Sequence, residues 1–207
     1  MRNMLNTIAF GALGAVLIAA GAASAQEPGV TDNEIVIGLF SPLSGPLAHY
    51  GIDVVNAAQL VYENVNKEGG INGRQIRVII EDDRCEANGA NAVAQKLVTV
   101  DNVFMLHGGS CTAAASSIQG YVERQKVPHV MLNASGDPAL FPPTEHVFGG
   151  FGGTQGTVGD SMMKFAIEEL GASKVSYIAS DDDYGLANYA AAKAVADAAG
   201  VELVSFD

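Results

Sequence analysis

Short apolar runs alternate with longer amphipathic stretches along the first two thirds of the chain. The runs 35–40, 74–81, 103–106 and 128–132 are rich in β-branched and large apolar residues, which is typical of buried strands. Between them, segments 50–68, 88–100 and 112–125 carry apolar residues at helical spacing. This order predicts an α/β fold with a doubly wound parallel sheet covered by helices on both faces.

The alternation resumes after Pro142 and Pro143, with a helix predicted over 154–170, a strand over 175–179, a helix over 184–199 and a strand over 202–206. The glycine-rich segment 149–153 lies between the two series. It is interpreted as a crossover between lobes, the alternative being a tight connection in one continuous sheet. The predicted organisation is a partial first lobe over 26–148 and the start of a truncated second lobe over 154–207, the front part of a longer protein.

The first 25 residues have the pattern of a secretory signal peptide. Arg2 supplies a positive charge, residues 5–22 are apolar and small, and Ala23-Ser24-Ala25 fits an A-x-A cleavage site. An apolar stretch of this length could also be a membrane anchor. The cleavage site favours export, so we expect a periplasmic protein that begins after Ala25.

Composition and charge narrow the possible partners. The chain has 207 residues, 48% of them hydrophobic, and 23 acidic against 11 basic residues, for a formal net charge of −12. This composition is typical of a folded protein. Because no basic run occurs, binding to nucleic acid or to an anionic lipid surface is not expected.

The chain contains two cysteines, Cys85 and Cys111. In an oxidising compartment an even pair is first interpreted as one disulfide. Two buried thiols remain the alternative at this point.

Ligands of open parallel sheets bind beyond the carboxyl ends of the strands. The corresponding loops are 41–50, 82–88, 107–112 and 133–143. In the third loop, Gly108 and Gly109 let the backbone approach a ligand, and Ser110 and Thr112 lie where a helix begins and its N–H groups are unpaired. This arrangement suits a carboxylate. The alternative is ordinary capping, with Ser110 as the N-cap.

Motifs of other function classes are incomplete. Segments 108–112 and 133–137 do not complete the G-x-S-x-G elbow of a hydrolase, and 150–155 lacks the last glycine of a dinucleotide loop. The histidines at 49, 107, 129 and 146 lack the spacing of metal ligands and are expected at the surface or at caps. We therefore expect no enzyme, no cofactor and no metal.

Taken together and in order, the loop motifs resemble the periplasmic solute-binding proteins of ABC transporters that bind leucine, isoleucine and valine. The matching stretches are 37–46 with Tyr50-Gly51, 66–73, 82–85, 108–112 and 183–185. The resemblance implies a type I periplasmic-binding-protein fold. It also implies a monomer that carries a small ligand to the permease subunits of a transporter. A sensor or receptor module of the same fold is the alternative.

The resemblance also implies a set of ligand-binding residues. Tyr50 would lie over the ligand side chain, and Ser110, Cys111 and Thr112 would hold the ligand carboxylate, with Cys111 paired to Cys85. The segment Ala134, Ser135 and Gly136 would supply a carbonyl for an amino group, although Gly136 stands where typical amino-acid binders have threonine. Tyr184 would reach the cleft from the second lobe. An amino acid or a related carboxylate is therefore the expected ligand.

Overall fold

The computed structural model describes residues 27–134, 143–149 and 156–206. Five strands form the first sheet: β1 (Glu34–Ser41), β2 (Gln75–Asp82), β3 (Met105–Gly108), β4 (His129–Met131) and β5 (Val147–Phe148). The helices of this part are α1 (Ala48–Lys67), α2 (Ala87–Thr99), α3 (Thr112–Ser117) and α4 (Gln119–Gln125). The predicted alternation of strands and helices is confirmed.

All neighbouring strands of the first sheet are parallel, in the order β2-β1-β3-β4-β5. The chain moves from β1 outward to β2 and then returns to the other side of β1 as β3. The switch in strand order therefore falls between β1 and β3. In sheets of this kind the ligand site lies at that switch, beyond the carboxyl ends of the strands.

The interior strand β1 is covered on both faces, which explains its nearly continuous apolar sequence. Val36 and Phe40 belong to a buried cluster with residues of α2, α3 and α4. Ile37 and Leu39, which point to the opposite face because strand residues alternate, are buried as well. Leu97 of α2 is also fully buried. This core holds the ends of β1 and β3 in fixed positions.

The second part of the described chain forms a smaller sheet of its own. It contains α5 (Thr157–Glu168), β6 (Lys174–Tyr177), α6 (Asp183–Ala199) and β7 (Glu202–Phe206). Strands β6 and β7 pair in parallel, and Met163, Ala192 and Ala196 form a buried cluster beside them. The buried Asn188 of α6 accepts a hydrogen bond from the Gly159 amide of α5 at 2.9 Å, which joins the two helices.

The structure corrects the single helix predicted over 112–125. It contains two short helices, α3 and α4, with Ile118 between them in a bridge conformation (φ −92°, ψ −7°). The Ser117 hydroxyl donates to the carbonyl oxygen of Ala114 at 2.8 Å. In a continuous helix the Ile118 amide would donate a hydrogen bond to that carbonyl oxygen. The serine side chain therefore competes with the helical backbone for it.

The expected location of the histidines is wrong for His129. This residue lies in β4, is fully buried, and stacks on Phe40 with a ring-centroid distance of 5.7 Å. Its Nε2 donates to the Gly108 carbonyl oxygen at 3.1 Å, so its polarity is partly satisfied inside the core. The two-residue strand β5 was also not predicted, because two residues are too few to show a period.

Several expectations fall on residues outside those the structure describes. They concern the signal peptide over 1–25, the positions of Ser135 and Gly136, and residues 150–153 of the crossover. Among the described residues, no helix combines the length and the apolar character needed to cross a membrane.

Candidate functional site

Two serine hydroxyls meet at the switch in strand order. Ser41 is the last residue of β1, Ser110 lies two residues beyond β3, and their Oγ atoms are 2.5 Å apart. Both side chains are buried, Ser41 completely and Ser110 to all but 6%. One hydroxyl donates to the other, so the accepting hydroxyl keeps its own hydrogen for a third group. The pair therefore lies at the position where such sheets bind ligands.

The backbone that carries Ser110 approaches β1 closely because it contains glycine. A Cβ atom on Gly108 would come within 2.5 Å of the Phe40 carbonyl oxygen and also collide with the Phe40 ring. The next residue, Gly109, has φ +81° and donates its amide to the same Phe40 carbonyl oxygen at 3.1 Å. These two positions favour glycine, as their sequence pattern predicts.

A disulfide joins the loops that follow β2 and β3. Cys85 and Cys111 are bonded, with a Cα–Cα distance of 5.4 Å. The Cys85 amide donates to Asp83 Oδ1 at 2.9 Å, which holds the first of these loops to the end of its strand. The disulfide expected from the sequence is present in the structure, and it anchors the residue that immediately precedes Thr112.

Thr112 is the first residue of α3, and its side chain is buried. The helix has only six residues, so its backbone dipole is small. The side-chain hydroxyls of this loop belong to Ser110 and Thr112. Cys111 can contribute only its backbone here, because its sulfur is bonded in the disulfide and its side chain packs against the buried cluster of Val36 and Phe40.

Ala134 lies beside the same loop. Its amide donates to the Gly109 carbonyl oxygen at 3.2 Å, and its side chain is buried with Ala115 and Met131. The methyl group of Ala134 therefore faces the protein interior, and only its backbone can serve a ligand. Ser135 and Gly136, which follow it, are outside the described residues.

Tyr50 and Tyr184 approach each other from the two sheets. Tyr50 lies in the first turn of α1 and Tyr184 is the second residue of α6, with exposed fractions of 43% and 39%. Burial raises the pKa of Tyr50, the neighbouring Tyr184 phenol raises it further, and a side-chain hydrogen bond from Asn133 lowers it in part. The structure thus brings together Tyr50, Asn133 and Tyr184, three residues from distant parts of the sequence.

A cavity of about 260 Å³ lies beside Tyr184, next to the two-stranded sheet. It is bounded by α5, by the carboxyl end of β6 and by the first turns of α6. The apolar part of its lining comes from Val158, Met162 and Ile178. This surface suits an apolar group better than a charged one.

The groups collected at this edge are hydroxyls, backbone amides, phenol rings and the Asn133 carboxamide. The Asp82 carboxylate also lies here, and it accepts hydrogen bonds from the amides of Leu43 and Arg84 and from the Ser44 hydroxyl. Among the described residues, no group of three or more His, Cys, Asp or Glu side chains is arranged to hold a metal ion. Hydroxyl and amide donors recognise a carboxylate, and phenol rings pack on an apolar body. The arrangement is therefore suited to binding a small organic acid.

Three residues of this edge were not assigned a ligand-binding role from the sequence. They are Ser41, Asn133 and Asp82, whose carboxylate accepts hydrogen bonds from Leu43 and Ser44. Each directly follows or ends an apolar strand, which is the signal that could have identified them. Which of them would face a ligand depends on tertiary contacts that a local pattern does not contain.

Comparison with known proteins identifies the family. The family described as periplasmic binding protein matches residues 34–207, and the chain belongs to it. The chain is 28% identical, over 84% of its length and 46% of the relative, to the leucine-, isoleucine-, valine-, threonine- and alanine-binding protein of Pseudomonas aeruginosa.

Two solved structures share the fold. The substrate-binding protein LivJ of Streptococcus pneumoniae, in complex with isoleucine, matches with a TM-score of 0.76 and 28% identity over 84% of this chain and 49% of that one. A solute-binding protein of an ABC transporter from Rhodopseudomonas palustris, in complex with 3,4-dihydroxybenzoic acid, matches with a TM-score of 0.75 and 26% identity, over 84% and 46%.

The type I periplasmic-binding-protein fold predicted from the sequence is confirmed by these matches. The chain spans about half the length of the curated relatives it matches. Membership of the family implies an extracytoplasmic location.

Proposed function

We propose that this chain forms most of the first lobe and the start of the second lobe of an ABC-transporter solute-binding protein. The lobes comprise residues 26–148 and 154–207, joined by the crossover 149–153, and residues 1–25 direct export to the periplasm. The protein captures a branched-chain amino acid or a related small carboxylate between its lobes and delivers it to the permease. It performs no catalysis and acts as a monomer.

The observation that carries this proposal is the buried hydroxyl pair of Ser41 and Ser110 at the switch in strand order, in a loop held by the disulfide. The loop 107–112, which ends at Thr112, offers hydroxyl and amide donors to a carboxylate. It contains no acidic side chain that would repel one. Relatives with bound isoleucine and bound dihydroxybenzoic acid share the fold, which supports a carboxylate as the common feature of the ligand.

Tyr50 and Tyr184 supply the second half of the proposed site. They come from opposite lobes and lie close enough for one phenol to affect the pKa of the other. A ligand whose carboxylate is held near Ser110 would have its apolar body between these rings and the apolar surface beside Tyr184. Contacts made from both lobes at once are possible only in the closed form. The ligand therefore binds the closed form more tightly than the open form, and this difference in affinity drives closure.

Titration calorimetry on the complete gene product tests the proposal. We expect saturable binding of at least one free acid among L-leucine, L-isoleucine, benzoate and 4-hydroxybenzoate. The matching amide, such as L-leucinamide for L-leucine, should bind at least tenfold more weakly because it lacks the anionic group. Equal binding of acid and amide, or no binding of any of the acids, would contradict it.

Thr112→Ala is expected to weaken binding of the acid by about 1 to 3 kcal/mol, because a hydrogen bond to a charged group is lost. The same substitution should have a smaller effect on the amide. Thr99→Ala is the matched control, since Thr99 is an exposed residue of α2 whose hydroxyl donates within its own helix, to the Gln95 carbonyl oxygen. An unchanged affinity of Thr112→Ala for the acid would remove Thr112 from the site.

A further inference from the structure

The carboxylate of Asp82 joins two loops at the edge of the first sheet. Its Oδ1 accepts hydrogen bonds from the Leu43 amide at 2.8 Å and from the Arg84 amide at 2.9 Å. Its Oδ2 accepts from the Ser44 hydroxyl at 2.6 Å. Asp82 ends β2 directly opposite Ser41, the last residue of β1. A single side chain thus connects the loop after β1 with the loop after β2.

The loop after β1 determines where α1 begins. The N-cap residue of α1, Leu47, makes no side-chain capping hydrogen bond, so the first turn is held by other contacts. Gly51 packs directly on the Pro42 carbonyl oxygen, and a Cβ atom at Gly51 would lie only 1.9 Å from that oxygen. Because Tyr50 adjoins Gly51, the path of residues 42–44 sets the position of its ring.

The other loop presents the disulfide. Arg84 and Cys85 both have positive φ angles, +56° and +63°, a conformation that residues other than glycine rarely adopt. The hydrogen bond from the Arg84 amide to Asp82 holds this turn in place. Through Cys111, the same turn is attached to the segment that carries Ser110 and Thr112.

The two acidic neighbours of Asp82 have different partners. Glu81 pairs with Lys96 of α2 at 2.7 Å. Asp83 is fully buried and its Oδ1 accepts from the Cys85 amide. Of these three consecutive acids, Asp82 is the one that bonds to the loop leading into α1.

We propose that Asp82 is a positioning residue of the ligand site, which fixes residues 43–44 against the disulfide loop and thereby holds Tyr50 over the ligand. This inference rests on the proposed function, because it assumes that Tyr50 packs on a bound acid. Asp82 itself touches no ligand. It acts by preorganisation, since a loop that is already ordered loses less entropy when the ligand binds.

The charge state of Asp82 agrees with this role. Burial raises the pKa of its carboxyl, but the hydrogen bonds from Ser44 and from the amides of Leu43 and Arg84 outweigh burial and lower the pKa overall. The group is therefore a carboxylate at neutral pH and accepts from all its donors at once.

The first test needs no ligand. Amide hydrogen exchange of the complete gene product should be at least tenfold faster at residues 43–51 in Asp82→Ala than in the unmodified protein, with the amides of β3 unchanged. Glu81→Gln is the matched control, since it removes an acid one position away whose side chain pairs with Lys96 of α2. Unchanged exchange at 43–51 in Asp82→Ala would overturn the proposal.

The second test measures coupling to Tyr50 by calorimetry with whichever acid the unmodified protein binds best. Asp82→Ala should weaken binding about tenfold, and Asp82→Asn, which keeps one acceptor oxygen, by less. In a Tyr50→Ala background, Asp82→Ala should cause little further loss. Additive losses would show that Asp82 does not act through Tyr50.

Two further outcomes separate this inference from the proposed function. If the exchange of residues 43–51 responds to Asp82→Ala but the unmodified protein binds none of the acids, the proposed function fails and the loop contact stands. If Asp82→Ala does not fold, Ser44→Ala removes only the 2.6 Å hydrogen bond and should give a smaller change of the same kind in both tests. No change from Ser44→Ala in either test would again overturn the proposal.

Discussion

Replacing both Cys85 and Cys111 by serine is expected to lower the free energy of unfolding by about 3 to 3.5 kcal/mol. The two residues are 26 positions apart, and a cross-link that closes a loop of this length removes that much conformational entropy from the unfolded chain. Urea or guanidinium unfolding, followed by circular dichroism, measures the change. The loss should appear as a lower midpoint of the transition.

Reduction of the unmodified protein supplies the control for this prediction. A thiol reductant should lower the stability of the unmodified protein by a similar amount and leave the double serine variant unchanged, since that variant has no disulfide. If the reductant leaves the unmodified protein at full stability, the bond contributes nothing to folding and the entropy argument is wrong. Binding of the acid should weaken in parallel, because the disulfide holds the loop of Ser110 and Thr112.

The secondary structure could be predicted to the extent that it depends on local patterns. The strand β1 is nearly continuously apolar because both of its faces are covered. Helix α2 carries buried residues at positions 90, 93, 94 and 97, the spacing of one helix face. The boundary between α3 and α4 could not be predicted in the same way. It depends on the hydroxyl of Ser117, which can bond either to solvent or to the backbone, and the sequence does not show which.

The candidate site could be predicted as a set of loops but not as a set of contacts. The rule that ligands bind at the carboxyl ends of strands identifies the loops that contain Ser110 and Tyr50. The hydrogen bond between Ser41 and Ser110 joins residues 69 positions apart, and the one between Ser44 and Asp82 joins residues 38 apart. Such pairs follow from strand order and register, which local periodicity does not determine.

The location of His129 is another feature that local sequence patterns do not determine. An isolated histidine is most often found near the surface, whereas here it fills a place in the core between Phe40 and the end of β3. It is tolerated there because one ring nitrogen donates to the Gly108 carbonyl oxygen and the ring stays neutral. That condition makes the stability of the part built on the five-stranded sheet sensitive to pH.

Acidification from pH 6.5 to pH 4 is expected to remove about 3 kcal/mol of stability through His129 alone. Burial lowers the pKa of His129 to about 4, while the hydrogen bond to Gly108 raises it in part and the nearby His107 lowers it further. In the unfolded chain the pKa returns to about 6.5. Because the folded-state pKa is the lower one, the unfolded state binds more protons between these values, and stability is lost as pH falls through this window.

Other groups contribute to this loss differently. His107, whose pKa is also lowered by burial, adds to it in the same direction. Glu123 bonds to His146 and has a pKa of about 2, so its contribution is lost mainly below pH 4. The pH dependence of the unmodified protein therefore combines several groups. Substitution of His129 is needed to isolate the loss of stability that this residue causes.

His129→Gln keeps a donor near the position of Nε2 but has no group that titrates in this range. Between pH 6.5 and pH 4 its free energy of unfolding should fall by about 3 kcal/mol less than that of the unmodified protein. His49→Gln, at an exposed position of α1, is the matched control for the loss of a histidine. If the profile of His129→Gln runs parallel to that of the unmodified protein, the buried ring accepts its proton without unfolding, and core burial of His129 does not control the acid sensitivity of the protein.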